Sequence, residues 1–393
     1  MTKLCNCVEI LDYKRIPISK KDRQSLKKIY PYYGAQGIID YVDKYIFDGE
    51  YILVAEDGEN LKSRNQSIAT WAEGKFWVNN HAHILGKKEN YNLKYIYYVL
   101  SLIDLSGLIT GSAQPKLSQD NLSSLELNLP NIDIQNKVAE FLFNIDSKIQ
   151  NNKKQIETLE SLAKSIYDYW FVQFDFPNEE GKPYKASGGK MVWNEELKRE
   201  IPEYWTVKNL SEVSDIVMGC SPKGDTINTA GDGLLFFQGA SDFGNVYPIE
   251  TAYTTAPIRI AKKGDLMISV RAPVGDINFT LTRCCIGRGL AAISTDKLSK
   301  SYLWCFLNNQ KAHFSILNRI GTTFGCLSKN DLYKIKIVLP TKNVYNNFIS
   351  ITEPLEKSIR LAHLESTNLT KLKNFLLPLL MNGQVTFKEA KEI

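Results

Sequence analysis

The chain contains the same sequence pattern twice, about 210 residues apart, and this repeat restricts its fold more than any other feature. The segment GSAQPKLSQDNLSSLELNLP (111–130) aligns without a gap with GTTFGCLSKNDLYKIKIVLP (321–340). Upstream, YIYYVL (95–100) matches YLWCFL (302–307), and GEYILVAEDG (49–58) matches GDLMISVRAP (264–273). The alternative is chance matching of L-x-x-L patterns. The period is too long for a solenoid repeat, so we expect a duplicated domain.

A long amphipathic helix is predicted after each copy of the domain. After Leu129-Pro130, apolar residues recur at helical spacing, at Val138, Leu142, Ile145, Ile149, Ile156, Leu159, Ala163, Ile166 and Trp170. After Leu339-Pro340 the corresponding residues are Leu355, Ile359, Ala362, Leu369, Leu372, Leu376 and Leu379, and Asn382-Gly383 provides a C-cap. Asn152 interrupts the first stripe, and one polar seam residue often fixes helix register. The simplest partner for each helix is the other, in an antiparallel coiled coil.

The globular parts combine β-rich and helical segments. The β-rich segments are YILVAE (51–56), KFWVNNHAHIL (75–85), DLMISVR (265–271) and GLAAIS (289–294), and the helical ones are LKYIYYVLSLI (93–103) and SYLWCFLNN (301–309). The sequence therefore predicts an α+β fold with two similar mixed α/β domains, separated by a pair of long antiparallel coiled-coil helices. The predicted boundaries are 1–135 for the first domain, 136–175 for the first helix, 176–200 for a linker, 201–345 for the second domain, 346–385 for the second helix and 386–393 for a tail.

Catalytic signatures are missing from the sequence. It has no G-x-x-x-x-G-K-[ST] phosphate loop, no N/D-P-P-Y/F tetrapeptide of amino-methyltransferases and no convincing E-x-K nuclease core. His81 and His83 lie two residues apart on a predicted strand, so both side chains could face one metal ion. No cysteine or carboxylate obviously joins them. We therefore predict no catalytic residue, no metal site and no cofactor in this chain.

Charge and cysteine content constrain the possible binding partners and the cellular compartment of the protein. Residues 211–350 carry five more basic than acidic residues, whereas residues 1–140 carry equal numbers, which permits an anionic partner without requiring one. The seven cysteines are odd in number and form no C-x-x-C pair, which fits a reducing compartment. There is no apolar run of about 18 residues and no secretory signal at the N-terminus, so we expect a cytoplasmic protein without a membrane span.

Several segments resemble the DNA specificity subunits of type I restriction–modification systems. They are EIPEYWTVKNLSEV (200–213), SPKG (221–224), GDLMISVRAPVGDINFTLTRCCIGRGLAAI (264–293), YPYYGAQGIIDYVDKYIFDGEYILVAEDG (30–58) and KFWVNNHAHIL (75–85). NIDSKIQNNKKQIETLESLAKSIYDYWFVQFDFP (144–177) and LLPLLMNGQV (376–385) resemble the central and distal conserved regions of that family. The resemblance covers nearly the whole chain.

The resemblance implies a non-catalytic subunit that reads double-stranded DNA. Each globular domain would be a target recognition domain for one half of a split, asymmetric site. The helix pair would dock two modification subunits, which bind S-adenosylmethionine and methylate adenine, and two restriction subunits would add ATP- and Mg-dependent translocation and cleavage. Two alternatives stay open: a stand-alone DNA-binding or antirestriction module without enzyme partners, and an enzyme with an unrecognised active site.

Candidate contact residues follow from the chemistry of base edges and phosphates, which call for polar and basic side chains on loops. The candidates for DNA contact are Tyr33, Gln36, Lys62, Arg64, Asn79 and His81 in the first domain, and Lys223, Gln238, Arg271, Arg288 and Lys329 in the second. Each could have a folding role instead, since Arg271 could pair with Asp265 or Asp276, and Gln36 could fix the turn between Gly34 and Gly37. We expect Tyr167, Trp170 and Phe171 to be exposed beyond the helix seam and to anchor the modification subunits.

Overall fold

Two units make up the chain in this computed structural model, which describes residues 1–111, 114–311, 314 and 326–387. The first unit contains Met1–Gln150 and Ser366–Ile393, and the second contains Asn151–Glu365. Residues 321–325 of the sequence repeat and 388–393 of the predicted tail lie outside the described residues. A search of the described helices finds none with the length and apolar character to cross a bilayer.

The first unit is built on a six-stranded mixed sheet. Its strands are β1 (Val8–Ile10), β2 (Tyr30–Gly34), β3 (Gly37–Val42), β4 (Phe47–Ala55), β5 (Ala69–Val78) and β6 (Ala82–Lys87), in the order β1-β6-β4-β5-β2-β3. The apolar segment around Leu53 forms β4, as predicted, and registers with β5 from Phe47↔Phe76 to Val54↔Ala69. The segment 75–85 is not one strand, because a turn at Asn79–His81 separates β5 from β6. His81 therefore lies in a turn and not beside His83 on a strand.

Helices and short strand pairs complete the first unit. The predicted helix is found at Leu93–Leu102, where the Asn92 side chain caps its N-terminus and Ile96 packs with Ile52 and Leu85 of the sheet. The remaining elements are the helices Leu4–Cys7, Asp12–Lys14, Lys20–Gln24, Asn60–Ser63, Ser106–Leu108 and Gln119–Ser124, and the strand pairs Thr2–Lys3 with Glu126–Leu127 and Ile109–Thr110 with Lys116–Leu117.

The second unit contains a four-stranded and a five-stranded sheet. Its strands are β7 (Asp215–Met218), β8 (Ile227–Asn228), β9 (Leu234–Phe237), β10 (Tyr253–Thr254), β11 (Ile260–Ala261), β12 (Leu266–Ser269), β13 (Ile277–Phe279), β14 (Cys284–Ile286) and β15 (Leu290–Ser294). The sheet orders are β7-β15-β12-β13 and β8-β10-β9-β14-β11. The helices are Leu210–Val213, Gly224–Thr226, Ala240–Asp242, Lys300–Asn309 and Lys329–Tyr333. Residues 265–271, 289–294 and 301–309 thus contain the strands and the helix that the sequence predicts.

The predicted linker is itself folded in the second unit. Met191–Asn194 and Arg199–Pro202 form an antiparallel hairpin, and the Phe176 ring stacks 5.0 Å from the ring of Trp205. A further strand pair joins Thr206–Asn209 to Lys336–Leu339. Burial of Phe176 explains why this polar, glycine-bearing stretch is ordered, since one aromatic side chain supplies a large apolar area.

The sequence repeat corresponds to a repeat of local structure. Ser118 caps the helix Gln119–Ser124 by accepting from the backbone N–H of Asn121, and Ser328 caps Lys329–Tyr333 by accepting from that of Asp331. A serine oxygen at this position satisfies a helix N–H group that has no intrahelical partner. Residues 210 apart therefore start equivalent helices, which agrees with duplication and not with chance matching.

Two long helices are confirmed, at Ile132–Tyr167 and Lys342–Met381, with a five-residue π-helical turn at Asp168–Val172 after the first. In the first unit, Val138, Ala139 and Leu142 of the first long helix pack with Leu377 and Leu380 of the second. In the second unit, Ile156 and Ala163 pack with Ile359 and Ala362. Later residues of one helix thus meet earlier residues of the other, so the pair is antiparallel in both units. Leu372 was predicted for the seam, but its side chain is 44% exposed.

Polar side chains fix the register of the helix pair. Asn152 is only 2% exposed, and its Nδ2 donates to Glu365 Oε2 at 2.8 Å. In the first unit, Asp146 accepts a hydrogen bond from the Tyr98 hydroxyl at 2.7 Å and pairs with Lys373 at 2.6 Å. A slip in register would leave these groups unpaired, and burying an unpaired polar group costs about 1–3 kcal/mol. The polar seam residue predicted from sequence is confirmed.

The three aromatic residues predicted to be exposed are instead buried. Tyr167, Trp170 and Phe171 are 6%, 7% and 3% exposed. The Phe171 ring lies 4.8 Å from that of Phe348 in a T-shaped contact, and Trp170 lies 5.7 Å from the same ring. The expectation of exposed docking anchors is therefore wrong, because the second long helix supplies a phenylalanine that completes the core around them.

Candidate nucleic-acid interface

Three backbone segments meet at one surface of the second unit. They are residues 219–223 after β7, residues 237–239 at the end of β9 and the turn 287–289 between β14 and β15, and we call them the three-loop surface. The N–H of Gly287 donates to Phe237 O at 2.8 Å, and the N–H of Gly289 donates to Gln238 O at 3.1 Å. A Cβ atom on Gly219 would lie 2.1 Å from Gly287 O, so only glycine permits this approach.

The three-loop surface brings predicted contact residues together. Lys223, Gln238 and Arg288 are exposed, and each comes from a different one of the three segments. The carboxylate of Asp242 accepts hydrogen bonds from the backbone N–H groups of Gln238 and Gly239, at 2.5 and 3.2 Å. Asp242 thus fixes the backbone of this segment and leaves the Gln238 side chain toward solvent.

Arg271 and Lys329 are also exposed in the second unit. Arg271 follows β12 and pairs through its backbone with Cys326. Across the described residues it makes no ion pair with Asp265 or Asp276, so the alternative structural role is not supported. The Asp265 carboxylate accepts from the backbone N–H of Lys262 at 2.7 Å instead, and burial raises its pKa. Lys329 Nζ lies 5.0 Å from the centre of the Tyr333 ring.

By backbone pairing the first unit has a position equivalent to Arg271, and Asp57 occupies it, one residue later than the match of 49–58 with 264–273 in the sequence places it. The N–H of Leu117 donates to Glu56 O as that of Leu327 donates to Val270 O, at 2.8 and 2.9 Å. The next residues, Asp57 and Arg271, form backbone bridges with Lys116 and Cys326, which lie 210 residues apart. Asp57 Oδ2 lies 2.7 Å from Nδ1 of His81. One backbone position thus carries opposite charges in the two units.

A cluster of ion pairs lies beside this position in the first unit. Arg15 pairs with Glu56 at 2.5 Å and with Asp12 at 3.3 Å, and Lys116 pairs with Glu56 at 3.2 Å. His83 places Nδ1 2.5 Å from Asp12 Oδ2 and Nε2 2.8 Å from Leu117 O. Burial alone would raise the pKa of Glu56, but the Arg15 hydrogen bond and the neighbouring positive charges outweigh burial and lower it. We call these five residues the charge cluster.

The charge cluster has the ligand types of a metal site, since Asp12, Glu56 and His83 offer atoms within 4.8 Å of one another. However, Arg15 and Lys116 already bring positive charge to the carboxylates, and both nitrogens of His83 have partners. A metal ion would have to displace these contacts. The arrangement is that of a compensated ion-pair network.

Two candidates in the first unit are buried and need correction, and a third, Arg64, is half-buried. Tyr33 is 9% exposed and packs its ring 5.4 Å from Phe76, so it belongs to the core. Asn79 is 6% exposed and accepts from the backbone N–H of His81 at 2.9 Å, which makes it a turn-forming residue. Arg64 donates to Ile103 O at 2.7 Å and ties two segments together. The remaining candidates of this unit, Gln36, Lys62 and His81, are exposed.

Sequence reasoning did not single out Ser221, Arg15 or Lys116. Ser221 lies within the SPKG segment that carries part of the family resemblance, so that segment contained a signal. Lys116 occupies the repeat position of Cys326, and comparing the two copies would have drawn attention to it. Arg15 had no such signal, because its acidic partner Glu56 is 41 residues away in sequence.

One family model and two known proteins match most of the chain. The type I restriction modification DNA specificity domain matches residues 4–161 and 202–374. The type I restriction enzyme MjaX specificity subunit of Methanocaldococcus jannaschii is 33% identical over 279 residues, which cover 70% of this chain and 63% of that relative. The MjaIX specificity subunit of the same organism is 27% identical over 320 residues, covering 75% of this chain and 70% of the relative.

A solved structure has the same fold. The crystal structure of the type I restriction-modification system S subunit from M. genitalium superposes with a TM-score of 0.65 at 16% identity. The superposition covers 99% of this chain and 96% of the other. It supports the architecture of two mixed domains and long helices.

Proposed function

Because the chain belongs to the type I restriction modification DNA specificity family, we propose that it selects the DNA sequence for a type I restriction–modification complex. The duplicated fold with divergent surfaces carries this proposal. Asp57 and Arg271 occupy the same backbone position in the two units, yet their charges are opposite. One architecture with two different surfaces is suited to the two unlike halves of a bipartite, asymmetric site.

The exposed side chains suit contact with double-stranded DNA. Lysine and arginine bind phosphates, and glutamine and arginine distinguish base edges in the major groove. The excess of basic residues lies within 211–350, where the three-loop surface is found. The proposed contacts are the exposed candidates Gln36, Lys62, His81, Lys223, Gln238, Arg271, Arg288 and Lys329. The chain itself performs no chemistry in this proposal.

The long helices supply the docking surface for partner subunits. Phe375 and Leu372 are 67% and 44% exposed in the first unit, and Leu162, Val172 and Tyr169 are 45%, 41% and 39% exposed in the second. Exposed apolar side chains commonly become the buried anchors of protein interfaces. We assign these positions to the docking of two methyltransferase subunits that carry S-adenosylmethionine. Two restriction subunits with ATP and Mg complete the proposed complex.

Methylome sequencing tests the proposed function. The cognate modification subunit is expressed with this chain, without it and with a specificity subunit of known target. Adenine methylation at a bipartite motif is expected only when this chain is present, and the motif should differ from that of the known subunit. Calorimetry of the purified chain with S-adenosylmethionine should show no binding above that of a control protein.

Two results would contradict the proposal. Methylation or cleavage of DNA by the purified chain alone would make it an enzyme with an unrecognised active site. Binding of a specific DNA sequence without any association with modification subunits would favour a stand-alone DNA-binding or antirestriction module.

A further inference from the structure

The turn 79–81 of the first unit is the structural equivalent of the turn 287–289 in the second. In each unit the strand before the turn pairs in parallel with another strand, β5 with β2 and β14 with β9. After the turn the chain enters a strand that pairs antiparallel, β6 with β4 and β15 with β12. Asn80 and Arg288 therefore occupy the same position, the middle of a three-residue turn.

Backbone hydrogen bonds from neighbouring segments hold the residues on either side of Asn80 and Arg288. The first residue of each turn donates its N–H, and the third accepts at its carbonyl oxygen. The bonds run from Asn79 to Tyr33 and from Gly287 to Phe237, at 3.0 and 2.8 Å, and from Glu56 to His81 and from Val270 to Gly289, at 2.9 and 2.8 Å. The middle residue is thus displayed on a backbone that is fixed on both sides in both units.

The side chains of Asn80 and Arg288 are exposed, and neither has a partner within the described residues. The hydrogen bonds that these two residues make there use backbone atoms. Asn80 O accepts from Arg15 Nη1 at 3.4 Å, and the N–H of Arg288 donates to Ser221 Oγ at 3.3 Å. A carboxamide and a guanidinium therefore remain available for a ligand. Asparagine and arginine are both side chains that form two hydrogen bonds with one base edge in the major groove.

The sequence favoured the neighbouring Asn79 as a DNA contact. The structure separates the two asparagines, because Asn79 is buried and its Oδ1 accepts from the N–H of His81 at 2.9 Å. Asn79 stabilises the turn, whereas Asn80 is exposed in the middle of the same turn. The residue with the shared position and the available side chain is therefore Asn80.

We propose that Asn80 is a specificity-determining residue of the first unit, which contacts its half-site from the position that Arg288 occupies in the second unit. This inference rests on the proposed DNA-reading function. It goes beyond that function by adding a contact residue and by assigning equivalent turns to the two half-sites. Because the two side chains differ, one repeated backbone position selects different bases in the two units.

The test uses the full chain with its cognate modification subunits and maps methylated motifs genome-wide. Asn80→Ala should relax one position in one half-site, and Arg288→Ala should relax one position in the other. Each loss of discrimination should be about 5- to 160-fold, the range for one bidentate base contact. Melting temperatures should stay those of the wild type, because neither side chain has a partner in the described part of the chain.

Asn6→Ala is the matched control, since Asn6 is also an exposed asparagine of the first unit. Its neighbour Cys5 accepts a hydrogen bond through its carbonyl from Lys88, which follows the end of β6 opposite to the turn. The motif of this variant should stay that of the wild type. Asn80→Arg keeps a side chain that can contact a base edge but changes its hydrogen-bonding pattern. It should alter the preferred base at the position that Asn80→Ala relaxes.

The outcomes separate this inference from the function beneath it. If wild-type complexes methylate a bipartite motif and the Asn80 variants keep it unchanged, the assignment of Asn80 is wrong while the proposed function stands. If Asn80→Ala and Arg288→Ala relax the same half-site, the assignment of equivalent turns to different half-sites is overturned. Weaker methylation at all sites with an unchanged motif would identify a phosphate contact and also overturn the inference. If the wild-type chain directs no motif-specific methylation, both proposals fall.

Discussion

The two units repeat one backbone arrangement but treat charge in opposite ways. In the first unit, Asp57 contacts His81, and the neighbouring charge cluster pairs Arg15 and Lys116 with acidic groups. In the second unit, Arg271 stands at the Asp57 position without an ion-pair partner in the described part of the chain. Backbone hydrogen bonds maintain the arrangement in both units, so the side chains can diverge. The local backbone arrangement is therefore kept in both units while the side-chain chemistry at this position changes.

The largest expected effect concerns the aromatic core of the second unit. Trp170→Ala should lower the free energy of unfolding by about 3–5 kcal/mol, because it leaves a cavity beside Phe348 and Phe171. Phe375→Ala in the first unit should change stability by less than about 0.5 kcal/mol, since that side chain is exposed. Denaturant unfolding gives both values.

The Phe375→Ala variant also separates folding from docking. Phe375→Ala should weaken co-purification with the modification subunit although the chain remains folded. Full retention of the modification subunit by this variant would remove Phe375 from the proposed docking surface.

Replacing each arginine tests the contrast between Arg15, which is ion-paired, and Arg271, which has no ion-pair partner among the described residues. Arg15→Met should cost about 3 kcal/mol, at the low end for breaking a buried ion pair because Arg15 and Glu56 keep 15% and 13% side-chain exposure. Arg271→Met should cost less than about 0.5 kcal/mol. Hydrogen exchange by mass spectrometry would locate each loss of protection. Equal destabilisation by the two changes would show that Arg271 has a structural role like that of Arg15.

For DNA affinity we expect the opposite order, so that replacing Arg271 matters more than replacing Arg15. Arg271→Ala should weaken binding to the target duplex by about 1–3 kcal/mol and relax one base position if the residue reads a base. Titration of target and scrambled duplexes at several salt concentrations measures the effect. A loss that is equal on both duplexes, with a smaller salt dependence, would instead identify a phosphate contact.

The smallest expected effect is a difference in acid sensitivity. The pKa of Glu56 is lowered in the folded protein, so its stabilising contribution is present above the ordinary value of 4.5 and is lost as pH falls through the folded value. The pKa of Asp265 is raised above 3.8 by burial, so the folded state binds more protons there and gains stability as pH falls.

These opposite signs can be measured with neutral substitutions. Unfolding between about pH 6 and pH 3 should become less acid-sensitive for Glu56→Gln and more acid-sensitive for Asp265→Asn, relative to the wild type. Asp48→Asn provides a control at an exposed carboxylate. Parallel pH profiles for all four proteins would mean that neither carboxylate contributes as its surroundings imply.

Patterns with a fixed period were predictable from sequence, whereas the surroundings of single side chains often were not. Helical spacing located both long helices, and Asn152 was recognised as a buried polar seam residue because it interrupts an otherwise apolar stripe. The same spacing placed Leu372 in the seam, but Leu377 and Leu380 occupy the core instead. Helix rotation at a given turn depends on the partner helix, which the spacing of one helix does not specify.

The sequence by itself determined the duplication, the α+β class, the antiparallel helix pair, the helix end before Gly383 and the family. The helices, their ends and the family follow from local periodicity, capping residues and motifs, which act over a few residues. The duplication and the helix pairing follow from comparing two such segments. Only the tertiary structure decided that Tyr33 and Trp170 are buried and that Ser221 contacts Gln238. It also decided that Arg15 is paired whereas Arg271 is not. Burial and pairing depend on which distant segments pack against a residue, and that information appears only when the chain folds.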